Sequence, residues 1–556
     1  MKLFLLNVLT FATLTFVSAK NQIVTNLLDL QSAAKNSNAG DTLTLKNGTY
    51  LNNSLVVDVS NITIQAQNKG EVFLNGTNSI VINGNNISFN GFQFTSGTIT
   101  GSLITVNGNN NELSQLNFNG YDATHMILIS GQYNLVTYCN FQNKPATNLV
   151  NHGGTGDMVQ IIPNSSTPGY NTIRYCSFKH MPGFGGDYGN ECIRIGDSAY
   201  STYISRTVVE YCYFEDTGNG DSEAISVKSK ENCLRYNTMI NNPDAMFSFR
   251  NGDNNVAYSN FFIRSGGIRC KQSNNIYCYN NYFQQAGTNQ NHNLPGGGTA
   301  PIILEYVGKG YGDNFNFVHN TFYKCSDIKI ASGLTNCTWA NNIFYSDSTV
   351  IYSGTNSGQS FTGNIYQGNL GFTIASGMKN TNPLLVENSN KYYSLSSTSP
   401  AIASSSSNYP AMLSISGINT DSNILFDIDG KARPATVTLK DVGCDQYDSG
   451  KITNYPLDSC EVGPTYLCPI KTTSISTISS NFNPLSIYPN PSNGEFTVLT
   501  DEMNSEIRVL NLFGETITNA HAENGKLLLK MDKDGVYLIS VKTTNGIETR
   551  KLIVNQ

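Results

Sequence analysis

Charged residues are scarce in this sequence. Lys, Arg, Asp and Glu make up 13% of the 556 residues, against roughly 25% in an average soluble domain. Gly, Asn, Ser and Thr are plentiful and the hydrophobic fraction is 39%, so the composition indicates an ordered, turn-rich protein. The net charge of −6 excludes a general attraction for polyanions. We therefore expect no nucleic-acid partner, and any acidic ligand must bind at a local basic patch.

Long apolar runs are also rare. After residue 19 no stretch approaches the roughly 18–20 continuous apolar residues that span a bilayer, so we expect no membrane span. The run from Leu3 to Val17 follows Met1 and Lys2 and ends in small residues at Ala19. This order is typical of an export signal. It predicts a signal peptide over residues 1–19 and a secreted or cell-surface protein.

The 12 cysteines lack CxxC pairs and zinc-like Cys/His spacing. Cys139, Cys176 and Cys212 instead recur in one local context, each after a Tyr and two residues before a Phe. Residues that repeat in register are more often a buried stack than disulfide partners. We interpret these three as a core column, and the pairing of the other cysteines stays open.

A 3.6-residue periodicity is missing, and a longer repeat replaces it. Several successive steps of this repeat are 21 to 25 residues long, which is the length of one β-solenoid coil. Its members are an Asn or Cys followed by aromatic or apolar residues, at Asn117-Phe118, Cys139-Asn140-Phe141, Cys176-Ser177-Phe178, Cys212-Tyr213-Phe214, Asn237-Thr238-Met239, Asn260-Phe261-Phe262, Asn281-Tyr282-Phe283, Asn320-Thr321-Phe322, Asn342-Ile343-Phe344 and Asn364-Ile365-Tyr366.

These repeats predict an all-β fold, a right-handed parallel β-helix over residues 20–450 whose regular coils end near residue 375. The repeated Asn residues should cap backbone groups of neighbouring coils. A short amphipathic helix around Leu30–Ala34 should cover the first coil. Residues 451–484 are rich in Pro, Ser and Thr and predict a linker, and residues 485–556 a small β-sandwich-like domain.

The last 70 residues carry a recognisable pattern, at Ile487-Tyr488-Pro489-Asn490-Pro491, Gly535-Val536-Tyr537 and Lys551-Leu552-Ile553. It resembles the C-terminal sorting domain of the type IX secretion system. The resemblance implies that this secretion machinery is a partner and that the protein is delivered to the cell surface or the medium.

Against the sparse background, charges cluster between residues 221 and 269. Alternation with the apolar residues of their strands places Lys228 and Arg250 on the outside. They are 22 residues apart, about one coil, so they should lie on neighbouring rungs. Arg269 follows about one coil later, and Arg194 precedes by a coil with a longer loop. The four cations should form one column or neighbouring columns, which is the basic patch that an acidic ligand requires.

The carboxylates Asp221 and Glu223 are harder to place. Strict alternation puts both inside with Ile225. A corner between Glu223 and Ile225 would instead leave both exposed near Lys228. The sequence leaves these alternatives open.

The charge cluster resembles polysaccharide lyase family 6, which contains the alginate lyases and chondroitinase B. The resemblance covers most of the predicted β-helix in pattern, and its motifs are Asn190-Glu191-Cys192-Ile193-Arg194, Asp221-x-Glu223, Lys228-Ser229, Glu231-Asn232, Phe249-Arg250 and Gly267-Ile268-Arg269.

That resemblance implies specific roles for the cluster. A calcium ion held by Asn190, Asp221 and Glu223 neutralises the substrate carboxylate, Lys228 removes the C5 proton and Arg250 serves the leaving group. Removing a proton beside a carboxylate accumulates negative charge, which a hard cation and an Arg stabilise. Asp221 stands where the family usually has Glu, which is one methylene group longer.

Substrate and activity follow from the same resemblance. It implies an anionic polysaccharide, with alginate favoured and an activity of the poly(β-D-mannuronate) lyase type, and Arg194 and Arg269 as substrate contacts. A chondroitinase B-like lyase acting on dermatan sulfate and a non-catalytic carbohydrate-binding β-helix are the alternatives. An inverting hydrolase would use Asp221 and Glu223 as acid and base, but it leaves Lys228 and Arg250 without a role. An epimerase would share only the first proton abstraction.

Overall fold

The computed structural model describes two compact units, Met1–Ile470 and Lys471–Gln556. The predicted signal peptide lies almost entirely outside the described residues, and residues 469–484 of the predicted linker also lie outside them. The described ranges are 19–145, 156–181, 191–217, 223–243, 245–288, 299–374, 376–448, 450–468, 485–500, 505–511, 516–523, 525–543 and 546–555.

Three parallel sheets form the first unit, and each coil contributes one strand to each of them in turn. The first sheet has 14 described strands, Asn21–Val24, Thr42–Leu45, Thr63–Ala66, Ser88–Asn90, Glu112–Ser114, Leu135–Thr137, Thr172–Arg174, Val208–Glu210, Cys233–Arg235, Asn255–Tyr258, Ile276–Tyr279, Phe315–Val318, Cys337–Ala340 and Gln359–Thr362. The predicted parallel β-solenoid is therefore confirmed.

The second sheet also has 14 described strands, Gly48–Leu51, Val72–Asn75, Phe92–Phe94, Asn117–Asn119, Asn140–Gln142, Ser177–Lys179, Tyr213–Glu215, Thr238–Ile240, Phe261–Ile263, Tyr282–Gln284, Thr321–Tyr323, Ile343–Val350, Asn364–Asn369 and Met378–Asn380. The third sheet has 12, Ser54–Val57, Ser79–Ile82, Gly97–Val106, Tyr121–Ile129, Asp157–Ile161, Ile193–Gly196, Glu223–Lys228, Met246–Arg250, Ile268–Lys271, Ile302–Leu304, Ile328–Ile330 and Tyr352–Gly354.

Columns of like residues fill the solenoid interior. In the second sheet, Phe118, Phe141 and Phe178 stack in nearly parallel planes with ring centroids 4.9 Å apart, which is the spacing of parallel strands. The three predicted column cysteines are buried and unbridged, so that prediction is confirmed. The alternation of apolar and polar residues along each short strand produces this single continuous core.

The repeated asparagines form a ladder at the turn between the first and second sheets. The backbone N–H of Asn237 donates to the side-chain oxygen of Asn260 at 3.0 Å, and Asn260 repeats the bond to Asn281 at 3.1 Å. Asn320, in the next coil, continues the ladder. These side chains are buried, and each satisfies backbone groups that the turn leaves unpaired. Their predicted capping role is confirmed.

An α-helix, Leu27–Asn36, covers the first coil. Asn26 caps it by accepting a hydrogen bond from the backbone N–H of Asp29, and its buried face carries Leu30, Ala33 and Ala34. The helix lies where the sequence predicts it, and Gln31 on it exchanges hydrogen bonds with the backbone of Val56 on the edge strand of the third sheet. None of the described helices is long and apolar enough to cross a membrane.

A covering segment follows the last coil, with the strands Leu385–Glu387 and Tyr393–Leu395 and the 3₁₀ helix Val437–Leu439; a second 3₁₀ helix, Ser198–Tyr200, lies in the solenoid. The covering segment packs its apolar side chains on the outer faces of the first and second sheets. A strap then runs back along the second sheet, because Leu457 bonds Thr238, Gly463 bonds Tyr175 and Thr465 bonds Gln115. A disulfide, Cys460–Cys468, closes this strap.

The second unit consists of small antiparallel sheets, as predicted. Its strands are Ser486–Tyr488, Glu495–Leu499 and Lys526–Lys530 in one sheet, and Thr516–His521, Glu506–Leu510, Gly535–Thr543 and Gly546–Val554 in the other. Phe496, Val498, Ile507 and Ile539 belong to its separate apolar core.

Candidate active site

The outer face of the third sheet carries the four predicted cations in two neighbouring columns. Strand register places Arg194, Ser226, Ser248 and Arg269 opposite one another on successive strands. Two residues further along, Lys228, Arg250 and Lys271 form the second column, since Val227 pairs with Phe249 and Arg250 pairs with Lys271. The predicted neighbouring-rung arrangement of Lys228 and Arg250 is thus observed.

A β-bulge separates Glu223 from Ile225. Glu223 pairs with Met246 and Ile225 with Phe247, so one extra residue is inserted and the alternation restarts. The break that the sequence left open therefore exists, and it releases Glu223 from the inward-facing series. Of the two placements that the sequence left open for Glu223, the exposed one is wrong, because its exposed fraction is 0%. Its carboxylate accepts a hydrogen bond from the Ser226 hydroxyl at 2.5 Å and lies 3.7 Å from Arg250 Nη1.

Three buried carboxylates lie in register beneath the cations. Val159, Ile193 and Ile225 pair with one another on successive strands of the third sheet. Asp157, Glu191 and Glu223 each stand two residues before one of them. Arg194 Nη2 lies 2.8 Å from Asp157 Oδ2, and Lys228 Nζ lies 3.6 Å from Glu191 Oε1. With the pair of Glu223 and Arg250, every buried carboxylate of this row has a cation beside it, and the cations are held in place by these ion pairs.

Burial is the main cause of the shifted pKa values of two groups here, Glu191 and Lys144. Burial raises the pKa of Glu191 to about 7, and the negative charge of Asp157 adds to the effect, whereas Lys228 and Arg194 oppose it. Burial also lowers the pKa of Lys144 to about 8, against the attraction of Asp157. A buried carboxyl with a pKa near neutrality is typical of functional sites, although ion-pair networks produce it too.

Beyond Arg250, a single carboxylate binds two cations. Glu305 accepts a hydrogen bond from Arg269 Nε at 2.6 Å and lies 3.2 Å from Lys271 Nζ. Burial alone would raise the pKa of Glu305, but Arg269 and Lys271 together hold it below its usual value. Arg269 is thereby fixed at the far end of the cation columns.

Two of the predicted metal ligands, Asn190 and Asp221, lie outside the described residues. Among described residues, Glu191 Oε2 is buried without a hydrogen-bond partner, and Glu223 Oε1 makes no hydrogen bond beside its ion pair with Arg250. Buried carboxylate oxygens of this kind are the donors that a hard cation such as calcium prefers, so the residues present fit the predicted ion.

A second acidic group does not fit a metal ion. The carboxylates of Asp427, Asp429 and Asp445 converge within 4.8 Å in the covering segment. Lys431 Nζ lies 3.6, 3.3 and 3.0 Å from them. The ammonium group already supplies the positive charge at their centre, so this cluster is an internal ion pair of the fold.

The site predicted from the sequence omits Asp157, Glu191 and Lys144, which the structure places beside its cations and acids. A signal for the first two exists, because Asp157-Met158-Val159, Glu191-Cys192-Ile193 and Glu223-Ala224-Ile225 repeat an acid two residues before a branched residue. Lys144 has no comparable pattern and becomes visible only through its burial beside these acids.

Comparison with known proteins identifies two families along the chain. Residues 24–295 match the family model of chondroitinase B, and residues 486–555 match that of the secretion system C-terminal sorting domain. No curated protein sequence matches the chain. The chain therefore carries a sorting domain that indicates export.

Several solved structures share the solenoid fold. The PL6 family alginate lyase AlyGC has a TM-score of 0.60 and 21% identity, over 68% of this chain and 56% of that one. A PL6 alginate lyase in complex with a trisaccharide has a TM-score of 0.55 and 18% identity, over 67% and 91%. A mannuronic acid specific family 6 lyase from human gut microbiota has a TM-score of 0.53 and 21% identity, over 62% and 86%. The chain spans little more than half the length of AlyGC.

Proposed function

We propose, from the match of residues 24–295 to the chondroitinase B family model, that the solenoid is a polysaccharide lyase. It cleaves a uronate-containing polysaccharide by β-elimination at the outer face of the third sheet. Alginate is the favoured substrate.

One observation carries this proposal. Lys228 and Arg250 project from neighbouring rungs of one column, and each is held against a different buried carboxylate, Glu191 and Glu223. Adjacent rungs are about 4.8 Å apart along the solenoid. A base and an acid at that spacing can act on the C5 proton and on the glycosidic oxygen at C4 of the same sugar residue. No general structural need explains why a protein so poor in charge concentrates its cations here.

In the proposed reaction Lys228 Nζ removes the C5 proton of the uronate. The electron pair forms the C4–C5 double bond, the bond from C4 to the glycosidic oxygen breaks, and Arg250 supplies a proton to that oxygen. Arg194 and Arg269 in the adjacent column bind the carboxylates of the polysaccharide. Because ion pairs fix these side chains beforehand, little reorganisation is required during the reaction.

The substrate carboxylate must also be neutralised, and Lys228 must lose its proton before it can act as a base. Glu191 and Glu223, with Asn190 and Asp221, would hold a calcium ion at this point. When bound, that ion would withdraw charge from the substrate carboxylate and balance the carboxylates next to Lys228.

Alginate is favoured over dermatan sulfate because two of the structural relatives described above are alginate lyases and the third is a mannuronic acid specific lyase. A preference of the poly(β-D-mannuronate) type is part of this proposal. Dermatan sulfate is the alternative, since it is the substrate implied by a chondroitinase B-like activity.

Export is proposed to use a signal peptide over residues 1–19 and then the type IX secretion machinery, which would take up the sorting domain. In this scheme residues 20–450 are the lyase domain, 451–484 the linker and 485–556 the sorting domain. The mature protein would act at the cell surface or in the medium.

The test is ultraviolet absorbance over time with alginate, dermatan sulfate and pectate, each supplemented with calcium. The conjugated double bond formed by elimination absorbs, so a rise on alginate is expected. A rise only on dermatan sulfate would replace the substrate and retain the reaction. A flat trace on all three, with a folded protein, would overturn the lyase proposal, and release of reducing ends would then distinguish a hydrolase from a binding protein.

A further inference from the structure

Four polar side chains form a closed ring on the rungs of the third sheet that precede Lys228. Strand register brings them together, because His125 pairs with Asp157 and Gln160 pairs with Arg194 on the next strand. Arg194 Nη2 lies 2.8 Å from Asp157 Oδ2, and His125 Nδ1 lies 3.4 Å from the same oxygen. Asp157 and Gln160 are buried, so two groups shielded from water hold the arginine.

The side-chain amide of Gln160 closes this ring. In the orientation that satisfies both of its ends, Gln160 Nε2 donates to His125 Nε2 at 3.2 Å, and Gln160 Oε1 accepts from Arg194 Nε at 3.3 Å and from Nη2 at 3.1 Å. The opposite orientation would turn the amide oxygen towards acceptors and the amide nitrogen towards donors. The neighbours of Gln160 therefore select one orientation of its amide.

His125 takes part in the ring as a neutral imidazole. Burial lowers the pKa of His125 to about 4, and the positive charges of Arg194 and Lys144 act in the same direction. A neutral imidazole carries a proton on only one of its nitrogens. Since Nε2 accepts from Gln160, that proton is on Nδ1, which faces Asp157. Every member of the ring thus has a defined donor or acceptor role.

The ring fixes the direction of Arg194. It holds the guanidinium through Nε and Nη2, and a planar guanidinium can present a further edge to a carboxylate. On the next rung the neighbour of Arg194 in its column is Ser226, whose short side chain bonds Glu223. The polar contacts that Arg194 makes with described residues therefore come from the ring, on the side away from Lys228.

We propose that Asp157, Gln160 and His125 are positioning residues, which orient Arg194 towards a carboxylate of the polysaccharide on the rung before Lys228. This proposal rests on the proposed lyase function. Without the ring, the substrate itself would have to order the long arginine side chain, which costs about two- to twelve-fold in affinity. The ring meets this cost during folding, so it lowers KM and acts only through Arg194.

The test is a double-mutant cycle of Gln160→Leu and Arg194→Ala on the preferred uronate polymer. Gln160→Leu removes the amide that bonds Arg194 and leaves the ion pair with Asp157. We expect Gln160→Leu to raise KM about two- to twelve-fold with kcat within about two-fold of the wild type. In the Arg194→Ala background the same change should leave KM unaltered. The control Gln284→Leu loses a hydrogen bond from Tyr282 on the second sheet and should match the wild type.

Asp157→Asn provides a second cycle, because it keeps the size of the side chain and removes the charge that Arg194 faces. Its effect on KM should also vanish in the Arg194→Ala background, and circular dichroism verifies that each variant is folded. If the wild type cleaves uronates and either folded single variant leaves KM unchanged, or its effect on KM adds to that of Arg194→Ala, the positioning role is refuted and the lyase proposal stands. If the wild type neither cleaves nor binds any uronate, both proposals are refuted.

Discussion

Replacing Lys228 by Ala should separate catalysis from stability. A positioned general base contributes about 10²- to 10⁴-fold to a rate, so kcat on the preferred uronate should fall by at least about 100-fold. The side chain points outward and is 13% exposed, so the apolar core is not affected. Its contact with the buried Glu191, at 3.6 Å, is the interaction whose loss must be evaluated.

The pKa of Glu191 determines that loss. Breaking a buried ion pair costs roughly 3–5 kcal/mol when the partner stays charged. Glu191 has a pKa raised to about 7 by burial, so at pH 6 it is mostly protonated and there is little ion pairing to lose. We expect destabilisation below about 1 kcal/mol at pH 6 and about 1–3 kcal/mol at pH 8. The sign follows because a raised carboxyl pKa favours the folded state at low pH.

The assay uses the single tryptophan of the sequence. Trp339 is buried in the solenoid and stacks on Phe317, so its fluorescence reports unfolding of that unit. Denaturation midpoints at pH 6 and pH 8 are compared for the wild type, Lys228→Ala and the control Lys230→Ala. Lys230 pairs with Asp253 at 3.7 Å in a more exposed position. A Lys228→Ala protein that is folded and keeps more than a tenth of the wild-type kcat would refute the assignment of Lys228 as the base.

Three further predictions concern the same molecule. Arg250→Ala should lower kcat at least about 100-fold and lower the denaturation midpoint, because it leaves Glu223 buried without its cation; unchanged values of both would contradict the ion pair. Calcium should raise the thermal midpoint of the wild type but not of Glu223→Gln, measured by calorimetry after chelator treatment, and equal responses would exclude Glu223 as a ligand. Burial raises the pKa of Asp427 to about 6 and of Asp429 to about 7. The protonated forms of these two carboxyls therefore stabilise the folded state fully below about pH 4, and this contribution to the free energy of unfolding is lost as the pH rises through 6 to 7. Asp429→Asn should flatten that decline in denaturation experiments between pH 5 and 8, and an unaltered slope would refute it.

The solenoid could be predicted from the sequence because its order is local and repeated. An Asn at each turn and an aromatic shortly after it set the coil length, and stacking turned them into the Asn and Phe columns. The same coil length placed Lys228 and Arg250 on neighbouring rungs. Such predictions require only that equivalent positions lie about 4.8 Å apart.

The buried acids could not be placed with the same certainty. Glu191 falls in the repeat step from Cys176 to Cys212, which is longer than one coil, and this extra length hides where the next strand begins. The resemblance pointed to Asn190 as a ligand, whereas Glu191 stands two residues before Ile193, as Glu223 stands two residues before Ile225, the strand partner of Ile193. The direction of the Glu223 side chain depends on a β-bulge of one residue. The backbone paths with and without this bulge have similar local propensity, so the sequence does not distinguish them.

Long-range contacts were beyond the sequence for a different reason. The strap bonds Thr465 to Gln115, which is 350 residues earlier. Its residues are not periodic, and they lie within a segment whose Pro, Ser and Thr content predicts a linker. Composition indicates how stiff a segment is by itself. It does not indicate whether the segment binds to a surface formed by residues far away in the sequence.

The arrangement of the site explains why a protein with so few charges buries several of them. In water, Lys228 and Arg250 would adopt many rotamers, and fixing them during the reaction would cost free energy. The fold fixes them in advance against Glu191 and Glu223, two carboxylates that would be unfavourable in this interior without cations. The long apolar core supplies the stability that these buried charges require. Destabilising a core column far from the site should therefore reduce the free energy of unfolding while kcat is retained, whereas loss of one buried carboxylate should affect both.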